Sequence, residues 1–285
     1  AHWGATKDVP LSECEETRLN NFLRNWKKGE GTVVKYWDKP EERDEIISEQ
    51  LGVSAGKRIL TMFTNVVWDT AAFGRDVAFE GMWDWIATTI GMMIDQTDAH
   101  LVIRVHPAEV KLEGRETDDS VFDRIRREFD ELPSNVTVIP PDSPISSYRL
   151  IALSNLILVY TSTIGLEAAI AGKPVVVAGD THYRSKGFTC DPASRDEYDG
   201  LLGSDSIHAW DQRQTSALAR RYAHLFFLRY MFPLRMIDER VMGSPRLDIE
   251  SVAELEPGRS QELDQLCEFI LNSAGNLDSA ALITA

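Results

Sequence analysis

Thr161-Ser162-Thr163-Ile164-Gly165-Leu166-Glu167 carries the sharpest chemical pattern in the chain. Hydroxyl residues ahead of a helix leave its first backbone N–H groups and the positive end of its dipole facing outward. Two or three hydroxyls add donors, and Gly165 in the first turn permits close backbone approach. The segment therefore reads as a phosphate cradle without a Walker lysine. Glu167 is placed to accept hydrogen bonds from a ribose or sugar hydroxyl. An ordinary capped helix with an acidic first turn has the same residues, and spacing alone does not separate the two.

Four further sets follow the same logic. His106-Pro107 comes just after Arg104, and a proline there halts a strand. The imidazole is then expected in a cleft, where it can donate to a phosphate or stabilise a departing one. A histidine satisfied by a backbone carbonyl is the competing reading. Pro141 to Tyr148 reads as a turn into a helix N-terminus, with Ser146, Ser147 and Tyr148 suited to a base, ribose or phosphate, or to plain capping. Tyr183, Arg184 and Lys186 make a local cationic spot, or a solvated loop. Asn65 and Asp69 share one loop, and Asp69 is the best-placed carboxylate for acid or base work.

These residues need elements to position them. Apolar runs at 58–63, 100–105, 136–139, 156–160 and 174–178 read as buried strands. Helical patterns lie between them, around 79–95, 118–131, 146–154 and 163–171. Such alternation predicts an α/β fold, a Rossmann-like parallel sheet with helices on both faces. In open sheets of this kind ligands lie beyond the carboxyl ends of the strands, and the residues named above follow those ends. Residues 1–55 read as a helical extension. Ser12 and Glu15 form a capping box, an extended segment spans 33–37, and a second helix from near Pro40 ends before Gly52. An amphipathic helix is expected at 212–231, a linker at 243–259 and a final helix at 260–273. Met82, Trp83, Trp85, Ile86, Met92 and Met93 read as a packed helix face.

Composition narrows the function. Of 285 residues, 45 are acidic and 30 basic, a net charge of −15, which argues against a general nucleic-acid binder. A 43% hydrophobic content with seven tryptophans supplies a core and excludes disorder as the dominant state. Three widely spaced cysteines make neither a disulfide framework nor a zinc site, which suits a reducing cytoplasm. No apolar run approaches the about 20 residues of a membrane helix, and the start is no signal peptide. Lacking an initiator Met, it points to a processed, trimmed or excised chain. Dinucleotide, Walker, nucleophile-elbow and zincin motifs are absent, as is a DxD-type carboxylate pair for a metal.

Taken together, Ile103 to Glu109, Ser146-Ser147-Tyr148, Tyr160 to Ala169 and Gly172 to Val176 resemble the capsule polysaccharide biosynthesis family. Those proteins look like GT-B glycosyltransferases and include transferases that use CMP-activated Kdo. The resemblance covers roughly residues 57–190. It implies that His106 with Pro107, and Ser162 with Thr163, contact the nucleotide phosphates of a sugar donor, as in the C-terminal Rossmann-like half of that fold.

The resulting expectation is a helical extension or linker at 1–56 and a nucleotide-sugar-binding domain at 57–210. Helices at 211–285 would pack on the sheet or on a missing partner domain. A GT-B enzyme has two Rossmann-like domains, and residues 1–56 are too short and too helical to be the first. The expected activity is metal-independent transfer of a sugar from a CMP- or UDP-linked donor to a glycan or glycolipid acceptor, without a cofactor. His106 and Asp69 are the expected catalytic residues. Arg104, His106, Pro107, Ser146, Ser147, Tyr148, Thr161, Ser162, Thr163, Gly165, Glu167 and Lys186 are the expected nucleotide and phosphate ligands. The expected location is cytoplasmic, with peripheral association at the inner membrane face with an export complex. A non-catalytic nucleotide-sugar-binding module and a GT-B-like sugar-nucleotide epimerase are the alternatives.

Overall fold

The structure is a computed structural model that describes residues 2–29, 36–54, 56–68, 72–111, 117–203, 210–231, 234–238 and 245–273. In chain order its helices are α1 (His2–Thr6), α2 (Glu13–Lys27), α3 (Asp44–Leu51), α4 (Met82–Met92), α5 (Ala108–Lys111), α6 (Val121–Glu128), α7 (Ser147–Leu153), α8 (Ile164–Ile170), α9 (Arg195–Leu202), α10 (Gln212–Leu225) and α11 (Gln261–Ser273). The chain divides into two compact units, one of residues 36–219 and one of residues 1–35 with 220–285.

The larger unit is built on a five-stranded parallel sheet. Its strands are β1 (Arg58–Phe63), β2 (Ala99–Arg104), β3 (Val136–Ile139), β4 (Leu156–Val159) and β5 (Val175–Val177), in spatial order β3-β2-β1-β4-β5. Strands β2, β4 and β5 are buried along their whole length, as expected of strands covered on both faces; β4 and β5 are apolar throughout, and β2 also buries His100 and Arg104. On one face Leu60, Met62, Leu101, Ile103, Leu156, Leu158 and Val176 share a core with Trp85, Ile86 and Ile90 of α4, Val121 and Ile125 of α6, and Tyr198 and Leu202 of α9. Each such fully buried side chain contributes about 2 kcal/mol. The polar ends of that core are matched, for Trp85 Nε1 donates to the Tyr198 hydroxyl at 2.8 Å. On the other face the Thr61 hydroxyl meets Ser154 at the end of α7, 2.5 Å away. There, too, Thr137 Oγ1 donates to the Leu51 carbonyl of α3 at 2.8 Å.

Helix ends follow local chemistry. Gly52 closes α3 in the left-handed conformation, φ 63°. In the smaller unit Ser12 and Glu15 cap α2 reciprocally, Glu15 receiving the Ser12 N–H at 2.8 Å and Ser12 Oγ the Glu15 N–H at 3.3 Å. The rest of that unit is held by aromatic and ionic contacts. Phe22 stacks on Phe227 with centroids 4.9 Å apart, Trp3 meets Tyr222 edge-on, and the Arg220 guanidinium pairs with Glu16.

Several expectations change. The helix expected over 212–231 widens at Phe226 into a π-helical turn through Tyr230, where Phe226 and Phe227 pack edge to face at 5.1 Å. The extended segment expected at 33–37 falls partly outside the described residues, and Tyr36 and Trp37 are in no strand. The linker expected at 243–259 contains β7 (Arg246–Leu247), which pairs antiparallel with β6 (Ile237–Asp238), and a 3₁₀ turn at Val252–Leu255. Helices α5 and α9, of four and eight residues, lie outside the helices expected from the sequence.

Candidate functional site

The strand order reverses between β1 and β4. From β1 the chain passes through α4 on one face of the sheet; from β4 it passes through α8, which packs on the other. Loops that diverge in this way leave a crevice beyond the carboxyl ends of the two strands. Two side chains from β1's exit tie its walls together. Thr64 Oγ1 accepts the His106 N–H at 3.2 Å, and Asn65 Oδ1 accepts the Thr161 N–H at 3.3 Å.

On the β2 side, His106 precedes α5 and its Nδ1 accepts the Ala108 N–H at 3.1 Å. A neutral ring therefore carries its proton on Nε2. Pro107 opens α5, its carbonyl receiving the Val110 and Lys111 N–H groups. The Tyr36 and His106 rings meet edge to face with centroids 5.7 Å apart, and Lys111 Nζ lies 4.1 Å over the Trp37 ring. The sequence reading found nothing chemical in residues 1–55. Its one available signal was the aromatic pair in a polar segment, whose nearness to His106 depends on tertiary structure.

Arg104 is 2% exposed and turns inward from β2. Its Nη1 donates to the Pro140 carbonyl at 2.7 Å and its Nη2 to the Ser143 carbonyl at 3.0 Å, while Nε is buried without a partner. Burial, only partly offset by the charge of Asp142, pulls its pKa down to about 10. The guanidinium thereby shapes the loop that leads into α7. At that helix Ser146 is the N-cap, its Oγ accepting the Arg149 N–H at 3.4 Å, with half-buried Ser147 next in line. Tyr148 donates its hydroxyl to Glu167 Oε2 at 2.7 Å; burial and that carboxylate hold the phenol above its usual range.

On the β4 side, Thr163 is the residue that precedes α8. It has helical backbone angles and makes no side-chain cap, so the expected hydroxyl cap is replaced by a long contact of 3.5 Å from the Ile164 N–H to Ser162 Oγ. Thr163 is exposed and Ser162 half-buried, and among the described residues neither backbone N–H meets a protein acceptor. Gly165 has a role that the sequence did not reveal. A β-carbon there would overlap the buried Tyr183 hydroxyl and lie 2.9 Å from Val159 Cγ2, and that hydroxyl donates to the Ser162 carbonyl at 2.5 Å.

The β5 side is closed by backbone. A β-carbon on Gly179 would sit 3.0 Å from Thr161 Cγ2 and 3.1 Å from the Arg75 carbonyl, and the Asp180 N–H donates to that carbonyl at 2.7 Å. In the loop beyond, Arg184 spends its guanidinium on the carbonyls of Val177, Gly179, Asp191 and Pro192. The expected cationic spot thus reduces to half-buried Lys186, whose Nζ donates to the Arg184 carbonyl at 3.2 Å. Lys186 bonds to none of the other candidate residues. Asp69 lies outside the described residues. Among those described, no three His, Cys, Asp or Glu side chains gather to hold a metal ion, and no helix is long and apolar enough to cross a membrane.

No curated protein sequence matches the chain. Among solved structures it is similar to the Thermosulfurimonas dismutans KpsC β-Kdo 2,4-transferase, at 14% identity and a TM-score of 0.47, over 75% of this chain and 56% of that one. The KpsC β-Kdo 2,7-transferase of the same organism gives 15%, 0.38, 73% and 54%, and the wall teichoic acid polymerase TagF gives 13%, 0.40, 72% and 46%. The chain spans about half the length of these proteins. The profile of the capsule polysaccharide biosynthesis proteins matches residues 38–199, a span that contains all five parallel strands and both walls of the crevice. Since that is more than half of the chain, this protein belongs to the capsule polysaccharide biosynthesis family.

Proposed function

We propose that the unit of residues 36–219 binds a nucleotide-sugar donor, CMP- or UDP-linked, and serves as the donor-binding half of a metal-independent glycosyltransferase of capsule or surface polysaccharide assembly. The carrying observation is the pair of Ser162 and Thr163 N–H groups, which meet no acceptor among the described residues; His106, just past the end of β2, supports it. In this reading the donor's phosphate lies against the Ser162–Thr163 turn, with Glu167 and Tyr148 toward the ribose or sugar. Ser146, Ser147 and Lys186 border the ligand.

Transfer separates the anomeric carbon from the phosphate through an oxocarbenium-like transition state, so negative charge grows on the departing oxygen. N–H and O–H donors already fixed in place stabilise that charge without reorganising. The Nε2 proton of His106 supplies one of them. The acceptor is a glycan or glycolipid hydroxyl, and Asp69 is the proposed base that takes its proton. The work would be done in the cytoplasm, peripherally at the inner membrane face.

Thermal denaturation with CMP or UDP tests the reading. Nucleotide at about 100 times its Kd should stabilise the protein by about 2.7 kcal/mol, and His106→Ala or Ser162→Ala should shrink the shift. Equal shifts in wild type and both variants would remove the pocket from this place. Sugar transfer from a bound donor then separates a transferase from a binding module.

A further inference from the structure

We infer that Asn65 reads the phosphate of the bound nucleotide from the β1 wall of the crevice, with Thr161 beneath it; this deepens the nucleotide-sugar reading and rests on it. Asn65 is 5% exposed and its Oδ1 accepts the Thr161 N–H across the gap between β1 and β4. That bond settles which end of the carboxamide is oxygen, because an amide N–H can only be met by an acceptor. Nδ2 therefore faces away from Thr161 N, and among the described residues it donates to nothing. Thr161 is 6% exposed, and its Oγ1 is buried without a partner.

The surrounding carbonyls each already accept a hydrogen bond. The Tyr160 carbonyl takes the Gly179 N–H, the Thr161 carbonyl takes the Thr181 hydroxyl, and the Ser162 carbonyl takes the Tyr183 hydroxyl. Among the described residues, what has no protein partner is mostly donors: Asn65 Nδ2, the Ser162 and Thr163 N–H groups, and the Thr161 hydroxyl, which can donate or accept. Of these only the Thr161 hydroxyl is a buried atom left unmet, which is costly, and hydrogen bonds to a charged partner are among the stronger ones. A crevice with donors to spare and its carbonyls engaged suits a tetrahedral oxyanion. It suits a cation less well, because no carboxylate is among these groups.

Asn65→Asp tests the inference. The change is isosteric, and the carboxylate can still accept the Thr161 N–H, so the β1–β4 bridge survives while the outward donor becomes a negative charge. Wild type and variant are titrated calorimetrically with CMP, UDP, cytidine, uridine and inorganic phosphate. The expected result is a loss of about tenfold or more in nucleotide affinity, with nucleoside affinity unchanged. Thr161→Val gives a second reading. Removing an unpartnered buried hydroxyl should leave the free protein as stable or more so, yet weaken nucleotide binding several-fold.

Nucleotide affinity within twofold of wild type in both variants, alongside a loss in Ser162→Ala, overturns the role of Asn65 and leaves the proposed function standing. Wild type that binds neither CMP nor UDP overturns both. Inorganic phosphate bound as tightly as nucleotide, and lost in Asn65→Asp, keeps the anion site but overturns the nucleotide as its ligand.

Discussion

The hydroxyl of Tyr183 fills the space that a β-carbon on Gly165 would occupy, and from there it donates to the Ser162 carbonyl at 2.5 Å. Two segments that enter the site from different strands are thereby locked at one point. Tyr183 is fully buried, so it has nowhere to yield.

Gly165→Ala should consequently destabilise the protein by about 2–3 kcal/mol through overpacking. Exposed helical glycines show the opposite sign, gaining about 1 kcal/mol with alanine. Chemical denaturation of Gly165→Ala decides between these signs. Adding Tyr183→Phe should recover part of the loss, because the nearest ring atom, Cζ, is 3.2 Å away.

Glu109 lies fully buried in α5, with both carboxylate oxygens on the Val121 N–H. Burial, with Asp123 and Asp119 nearby, pushes its pKa up to about 7, against an ordinary carboxylate value of 4.5. The folded state then holds a proton that the unfolded chain has lost between those two values. Its contribution to stability is present below pH 4.5 and declines as pH rises through 7. Relative to wild type, Glu109→Gln should be near neutral at pH 5 and more stable at pH 8, by up to about 3 kcal/mol. Melting temperatures of the two proteins across that range provide the measurement.

Tyr148 and Glu167 form a hydrogen bond between α7 and α8 at 2.7 Å. A double-mutant cycle with Tyr148→Phe and Glu167→Gln should return a coupling of about 1.5–3 kcal/mol, the range for a bond to a charged acceptor. Additive effects would mean that the pair holds nothing together.

Arg184 should not tolerate lysine. One ammonium cannot reach the four carbonyls that its planar fork serves. Arg184→Lys is expected to cost about 2 kcal/mol. Faster amide exchange at Asp180 and at Ser185, whose N–H donates to Asp191 Oδ2 at 2.9 Å, would register loosening of the loop.

The sheet was legible because apolar runs such as Leu156 to Val159 admit few other placements once helical stretches flank them. Residues just past those runs were legible as rim residues for the same reason, which is how His106 and Ser162 came into view. Pairings between distant segments were not. Gly165 looked like an approach point for phosphate because its neighbour Tyr183 comes from the loop beyond β5. Arg184 looked like a surface cation because nothing in its local sequence shows four carbonyls converging on it. Tyr36 drew no notice because its contact with His106 depends on the course of residues 36–46 over the rim.

Asn65 and Thr161 are 96 residues apart in the chain, and their bond closes only when β4 has docked beside β1. A folding intermediate with β1, β2 and β3 assembled would still present an unfinished crevice. Protection of the Thr161 amide from exchange during refolding should thus lag behind helix formation seen by circular dichroism, which makes that amide a reporter of β4 docking on β1.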